Sequence, residues 1–453
     1  MEDSPIMPTA THDQQPTRTR WWIVLLLFAI TAINYADRAT ISIVGTDLAR
    51  DLKLNPVALG FLLSAFSLSY VTLQIPGGWL LDRFGSRLVY LWSIITWSAF
   101  TALQGFVGLL GSARFAARTL YGLRLLLGAA EAPSFPANSR IVAAWFPASE
   151  RGTAAAIFNS AQYFSIVMFY PVMGLITHHL GWQYVFWTMG ALGLAFAMIW
   201  PRVVHAPREH PRANAAEIEL IKEGGGLVDL DRKTDTGGDG FRWTDLGQML
   251  SHRMLIGIFL GQYCVNVLTW FFLTWFPIYL VKDRGMSILK VGFVAVLPAL
   301  CGFLGGVLGG VVSDALLRRG WSLSAARKTP IVVGMFVASS IVACNYVSTQ
   351  WAVIFFMSLA FFGKGVGALG WALMSDVAPK TATGLAGGLF NTFGNLAGVA
   401  TPIVIGYILS NTGSFNGALV YVAAHALLAT VSFVFIAGPI RRVELRPAQE
   451  STV

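Results

Sequence analysis

The chain has 453 residues, of which 55% are hydrophobic and only 12% charged, and its mean hydropathy is +0.61. Those values exclude an ordinary soluble domain and describe a polytopic membrane protein. The formal net charge of +9 resides largely in short loops and tails, where it has a membrane explanation, so it carries no case for nucleic-acid binding.

The first 20 residues are polar and end in TRTR; WWIVLLLFAITAI follows. Alone, that run resembles a signal peptide. Eleven further apolar spans argue for an uncleaved first helix. A span needs about 20 predominantly apolar residues, and twelve are predicted: 21–44, 57–81, 88–110, 118–143, 153–178, 182–201, 254–281, 289–313, 329–347, 350–375, 383–409 and 414–438. The expected fold is an all-α membrane protein of two pseudo-symmetric six-helix bundles. Residues 1–20 form a tail, 21–201 the first bundle, 202–253 a central loop, 254–438 the second bundle and 439–453 a second tail.

Polar groups interrupt these spans at few places. The first carries Asn34, Tyr35, Asp37 and Arg38; Tyr35 and Arg38 are three apart and share a face, while Asp37 points elsewhere. In the second span, Tyr70 and Gln74 share a face. The fourth contains RLLLGAAEAPSFPANSR (124–140), with Arg124 and Glu131 seven residues apart in an apolar segment. A charge at mid-bilayer costs about 2.5–3.5 kcal/mol, so such groups face a bundle interior and mark ion or substrate paths. A purely structural ion pair is the alternative. Arg124, Gly128 and Glu131 follow i, i+4, i+7, which puts both charges on one face with a glycine between them. Pro133 and Pro136 then break the helical bonding, which is tolerated at membrane depth where a cavity is lined. The fifth span adds Asn159 and Gln162.

Residues 202–250 change character, being polar, mixed in charge and rich in glycine, with ANAAEIELIKE (213–223) patterned as a short surface helix. Beyond this connection, ionisable groups thin out to Lys364, Asp376 and His425. Spacing puts Lys364, Trp371 and Ser375 on one face of the tenth span, and Asn391 lies on the eleventh. The glycines of the eighth span, such as Gly302, Gly306 and Gly310, fit small-residue helix packing. Cys264, Cys301 and Cys344 all lie in apolar runs, and six of the seven histidines lie in the tail, in loops or at span ends, leaving His425 inside. Neither a disulfide framework, a metal cluster nor a cofactor site is expected.

With both ends placed in the cytoplasm, inner loops and tails hold fourteen Lys and Arg. Outer loops hold seven: Arg50, Lys53, Arg114, Arg118, Lys282, Arg284 and Lys290. That asymmetry satisfies the positive-inside rule. An internal repeat supports two halves of equal orientation. At a constant offset of 232 residues Asn34, Gly78, Asp82, Pro147, Gly152, Ala154, Phe158 and Asn159 recur as Asn266, Gly310, Asp314, Pro379, Gly384, Ala386, Phe390 and Asn391. Two such halves with a site between them form a transporter architecture.

GGWLLDRFGSR (77–87), with its reduced copy GGVVSDALLRRG (309–320), resembles the loop signature of the major facilitator superfamily. NYADRAT, QIPGGWLLDRFGS, EAPSFPANSRIVAAWFP, ERGTAAAIFNSAQYFS, TWFFLTWFPIYL, GMSILKVGF and FFGKGVGALGW are similar to the anion:cation symporter family, and within it to bacterial hexarate (glucarate and galactarate) permeases. The resemblance spans residues 18–446. It implies that Tyr35, Arg38, Arg124 and Gln162 bind substrate and that Asp37 and Glu131 carry protons. Gly78, Asp82, Arg83, Gly85, Arg87 and Asp314 belong to the gating and fold motif.

The chemistry agrees with that implication. Buried guanidinium groups suit an anionic cargo because they grip a carboxylate with two prongs and stay charged. Neighbouring carboxyl groups supply proton coupling, since an anion arriving at the arginine alters their proton affinity. Sugar-acid hydroxyls would be met by Tyr35, Tyr70, Gln162 and Asn391, with Trp371 as a platform. Lys364 is expected either to meet the far carboxylate of a dicarboxylate or to be structural, snorkelling or pairing with Asp376. The expected activity is proton-coupled import of a hexarate, or alternatively a sugar monoacid such as galactonate, a hexuronate or glycerate, by a monomer in the bacterial inner membrane. A membrane enzyme would need a nucleophile, metal or cofactor cluster. A transporter-like sensor would need a larger soluble output domain than this loop and tail provide.

Overall fold

A computed structural model describes residues 15–230, 243–379 and 382–445. The glycine-rich end of the central loop, the outermost parts of both tails, and Lys380 and Arg446 from the inner-face charge count lie outside the described residues. The long helices are α1 (Thr19–Ile43), α2 (Pro56–Phe84), α3 (Ser86–Gln104), α4 (Ala113–Glu131), α5 (Ser134–Trp145), α6 (Arg151–His179) and α7 (Trp182–Val203). After the loop helix α8 (Ala215–Glu223) come α9 (Arg253–Thr274), α10 (Val296–Arg318), α11 (Leu323–Ala338), α12 (Gln350–Val366), α13 (Gly370–Val377), α14 (Thr383–Thr412) and α15 (Asn416–Val431).

Ten helical stretches among the described residues are long and apolar enough to cross a membrane. The third and fourth predicted spans are helical but outside that set. The α3 sequence is diluted by Ser, Thr, Tyr and Trp, and α4, the first part of the fourth, carries Arg114, Arg118, Arg124 and Glu131. Local chemistry explains several helix ends. Asn55 caps α2 by accepting from the Ala58 N–H at 2.7 Å, with Pro56 at the first helical position. Gly85, at φ 79°, supplies the left-handed residue that reverses the chain into α3.

Several predicted spans differ from the structure in detail; the eighth, for one, divides at Ala295 into a short helix Ile288–Val294 and α10. The fourth divides into α4 and α5 at Ala132–Pro133, where proline lacks an N–H. The seventh breaks at Trp275, ahead of a short helix Phe276–Lys282 with Pro277 near its start. The ninth begins earlier, at Leu323, and finishes as a tighter helix over Ser339–Tyr346. The tenth is interrupted between Val366 and Gly370, within a run holding Gly363, Gly365, Gly367 and Gly370. Low helix propensity is one reason. Close packing is the other, because a Cβ on Gly365 would collide with the Gly302 carbonyl and one on Gly363 with the Gly334 carbonyl.

The halves meet tightly at one end of the bundle. A Cβ on Gly60 would strike the Pro402 carbonyl, one on Gly406 would lie 2.7 Å from the Pro56 carbonyl, and one on Gly292 2.8 Å from the Tyr170 carbonyl. At the other end, which carries the central loop, Gly78, Gly152, Gly310 and Gly384 face open space, with nothing within 4 Å of a Cβ placed there. These four are repeat mates. The bundle is therefore closed on its far face and parted on its loop face.

Loop residues are folded onto the first half. Glu217 of α8 has a fully buried side chain and accepts from Thr17 Oγ1 at 2.5 Å, Thr19 N at 3.1 Å, Arg20 N at 3.2 Å and Arg20 Nη1 at 3.0 Å. Arg20 also pairs with Glu150 at 2.8 Å. The expected surface helix is present, but it is an anchor that caps α1, not a plain connection. Sequence alone could not show this, since Glu217 acquires its partners from 197 and more residues away.

Candidate substrate and proton site

Helices α1, α2 and α4 bring the first-half charges together. Arg38 Nε donates to Glu131 Oε2 at 2.9 Å, and its Nη2 donates to Asn34 Oδ1 at 2.8 Å. The guanidinium lies 4.8 Å from the Tyr35 ring, 4.9 Å from Phe66 and 4.7 Å from Tyr70. Three ring faces thus replace the water that a buried cation loses. Arg124, 2% exposed, stands 5.4 Å from the same Phe66 ring, and its Nε and Nη1 have no hydrogen-bond partner. Asp37 is fully buried, neither carboxyl oxygen is hydrogen-bonded, and it lies within electrostatic reach of Glu131 and Arg124.

Gly128 sets this spacing. A side chain there would run into the Phe66 carbonyl and the Ser69 hydroxyl, so only glycine lets α4 lie this close to α2. Buried, unsatisfied donors and acceptors are rare in folded proteins and point to a missing partner. In this group they include Asn34 Nδ2, Arg124 Nε and Nη1, both Asp37 oxygens and Glu131 Oε1.

The remaining predicted residues are distributed more widely. Gln162 donates to its own helix at the Asn159 carbonyl, 3.1 Å away. Its neighbour Tyr163, missed in the sequence, lies under Lys364 with 5.9 Å between the ammonium and the ring centroid; Phe361 is 5.3 Å from the same ammonium. A tyrosine next to Gln162 in an apolar span was the available signal. Lys364 is 5% exposed and has no ion pair among the described residues. Pairing with Asp376 is ruled out, because Asp376 binds Arg327 at 2.8 Å, and Asp314 binds the same arginine at 3.1 Å.

The break before α13 also cancels the shared helical face expected for Lys364, Trp371 and Ser375. Trp371 is half-exposed and packs edge-on against Phe390 at 4.9 Å. Asn391 Oδ1 accepts from Asn395 at 3.1 Å. Gln262 and Asn266 of α9, not predicted, lie where a Cβ on Gly370 or Gly394 would meet them.

In the loop motif, Asp82 forms an ion pair with Arg140, which also donates to Ser86 Oγ at 3.2 Å. Arg83 lies over the Trp79 ring at 5.3 Å, and Arg87 donates to the Pro201 carbonyl at 2.8 Å. The contacts of Arg140 and Arg87 join helix ends within one half, while that of Arg83 stays inside α2. A surface cavity of about 760 Å³ lies elsewhere, near Leu52, Lys53, Arg114, Arg118 and Tyr121, and none of the charged site residues lines it.

Membrane-length helices in two repeated halves, with buried charges on facing helices, define a multi-pass membrane transporter and not an enzyme. The chain matches the Major Facilitator Superfamily over residues 27–402 and belongs to it. It is 56% identical over 446 residues to a protein of Escherichia coli (strain K12) named probable galactarate/D-glucarate transporter GudP, covering 98% of this chain and 99% of that one. A D-galactonate transporter of Escherichia coli O6:H1 is 38% identical over 438 residues, covering 96% of this chain and 100% of that one. Among solved structures, a D-xylose-proton symporter shares the fold with a TM-score of 0.68 at 16% identity, over 93% of this chain and 98% of that one.

Proposed function

We propose that the protein is a proton-coupled symporter that imports a hexarate, D-glucarate or galactarate, across a bacterial inner membrane by alternating access. The single observation that carries this reading is the buried group of Arg38, Glu131, Arg124 and Asp37, in which two cations share a ring and two acids retain unpaired oxygens. An anionic sugar acid fits the guanidinium groups, and relatives at 54–56% identity that are named probable galactarate/D-glucarate transporters support the substrate class. Arg124 takes a carboxylate, Glu131 and Asp37 take protons, and Tyr35, Tyr70, Gln162, Trp371 and Asn391 meet the hydroxyls. The loop face is assigned to the cytoplasm by the distribution of Lys and Arg. The halves then rock about the site as a monomer.

Two protons per dianion make transport electroneutral; a third carries net charge inward. The test is uptake of labelled galactarate by proteoliposomes with and without an imposed pH gradient. Uptake indifferent to the gradient refutes coupling. A sugar monoacid as cargo is the second reading, favoured by the 38% identical relative named for D-galactonate. Competition between aldarates and aldonates separates the two.

A further inference from the structure

Resting on the hexarate reading, we infer that the cargo is held by its two ends, one carboxylate at Arg124 in the first half and the other at Lys364 in the second. Lys364 thereby selects dicarboxylates over monocarboxylates.

The first-half group holds two cations and two acids, and Arg38 already has a carboxylate partner at 2.9 Å. Arg124 has no carboxylate hydrogen-bonded to it. Lys364 is a third buried cation, and no acid of the second half is available to it among the described residues. Asp314 and Asp376 are both held by Arg327, and Asp283 lies 3.4 Å from Arg284. Burying an ammonium without a counter-charge is expensive. The rings of Tyr163 and Phe361 face its ammonium, and no acid pairs with it among the described residues, which leaves one positive charge in excess when both acids are ionised. Without Lys364 the two cations and two ionised acids of the first half balance; Lys364 adds one positive charge, as the second carboxylate of a hexarate adds one negative charge to a hexonate.

At the 232-residue offset of the repeat, Lys364 is the mate of Ala132, the residue following Glu131. Parallel repeats related by an axis along the membrane normal keep mates at equal depth. Lys364 therefore stands level with Glu131 across the bundle. Arg124 precedes Ala132 by eight residues, about 12 Å of helix rise toward the far face. An elongated six-carbon dianion lying along the transport direction can engage both cations, and a monoacid cannot. Tyr163 belongs to α6 of the first half and Lys364 to α12 of the second, so an end bound at Lys364 sits where the halves touch.

The experiment compares wild type, Lys364→Met and Lys364→Arg in proteoliposomes, using galactarate and D-glucarate against galactonate and gluconate. Methionine suits the aromatic surroundings, and size-exclusion profiles confirm folding. The expected result is that Lys364→Met lowers the hexarate to hexonate ratio of kcat/KM at least tenfold, while Lys364→Arg restores most of it. Equal loss for both cargo classes, or an unchanged ratio, overturns the inference while leaving hexarate transport intact. A wild-type protein inert toward every hexarate overturns the underlying reading before any variant is compared.

Discussion

Replacing Glu131 by glutamine tests the proposed coupling most directly. Glu131 receives the Arg38 Nε–H at 2.9 Å, and both side chains are buried, at 0% and 5% exposure. Glutamine imitates the permanently protonated acid, keeping one acceptor for Arg38 but removing the negative charge. A hydrogen bond involving a charged group contributes about 1.5–3 kcal/mol and a neutral one about 0.5–1.5. Stranding one member of a buried pair with nothing in its place costs about 3–5 kcal/mol. Glu131→Gln is therefore expected to lose about 1–3 kcal/mol of stability and Glu131→Ala about 3–5 kcal/mol. Transport should separate more sharply than stability. In Glu131→Gln, uptake driven by a pH gradient falls to the rate seen without one, while exchange of labelled for unlabelled cargo at equal pH continues, because exchange needs no net proton movement. Proteoliposomes loaded with cold hexarate measure both. A Glu131→Gln protein that still concentrates cargo under a pH gradient refutes Glu131 as a proton carrier.

Other expectations follow from the same packing. Gly60→Leu places a side chain against the Pro402 carbonyl, so closure of the far face is blocked and a cysteine placed near Tyr70 should react faster from the far side than in wild type. Glu217→Ala removes the acceptor of four donors from Thr17, Thr19 and Arg20; thermal unfolding in detergent should show a loss of about 2–4 kcal/mol, and a loss under 0.5 kcal/mol contradicts the anchoring role. Burial holds His210 below the ordinary histidine range, with its Nδ1 accepting from Arg212 N and its Nε2 against the Val203 carbonyl. The unfolded chain then takes up a proton that the folded one refuses, so stability falls as pH drops through about 6.5, by up to about 1.4 kcal/mol per pH unit. His210→Gln should flatten that slope between pH 5 and 8, and parallel curves for the two proteins would reject it.

Much of the site was legible because charges are scarce in this chain. Arg38, Arg124, Asp37 and Glu131 stood out against an apolar background, and the i, i+7 spacing with Gly128 between placed two of them on one face. The repeat was equally readable, since eight identities at one offset need no structure. What escaped depends on backbone breaks and distant partners. The interruption between Val366 and Gly370 separates Trp371 from Lys364 despite their helical spacing, because a glycine run in which Gly363, Gly365 and Gly367 pack against α10 and α11 ends the regular turn. Asp376 was spoken for by Arg327, 49 residues earlier. Glu217 reads as a surface acid in its own helix and becomes buried only when the chain's beginning folds over it.

Gly77 and Gly309 abut Pro133 and Val366 within their own halves, while the next residues, Gly78 and Gly310, touch nothing. Small residues on the far face meanwhile carry the present seal. Because the unused stripe is built from the same material as the used one, swinging from one arrangement to its mirror exchanges like for like. Under the proposed proton-coupled alternating access, the expected intrinsic bias between the two is only a few kcal/mol, within what a single anion and its accompanying protons would supply. The molecule is poised as a balance whose pans are nearly equal, and the load decides which way it tips.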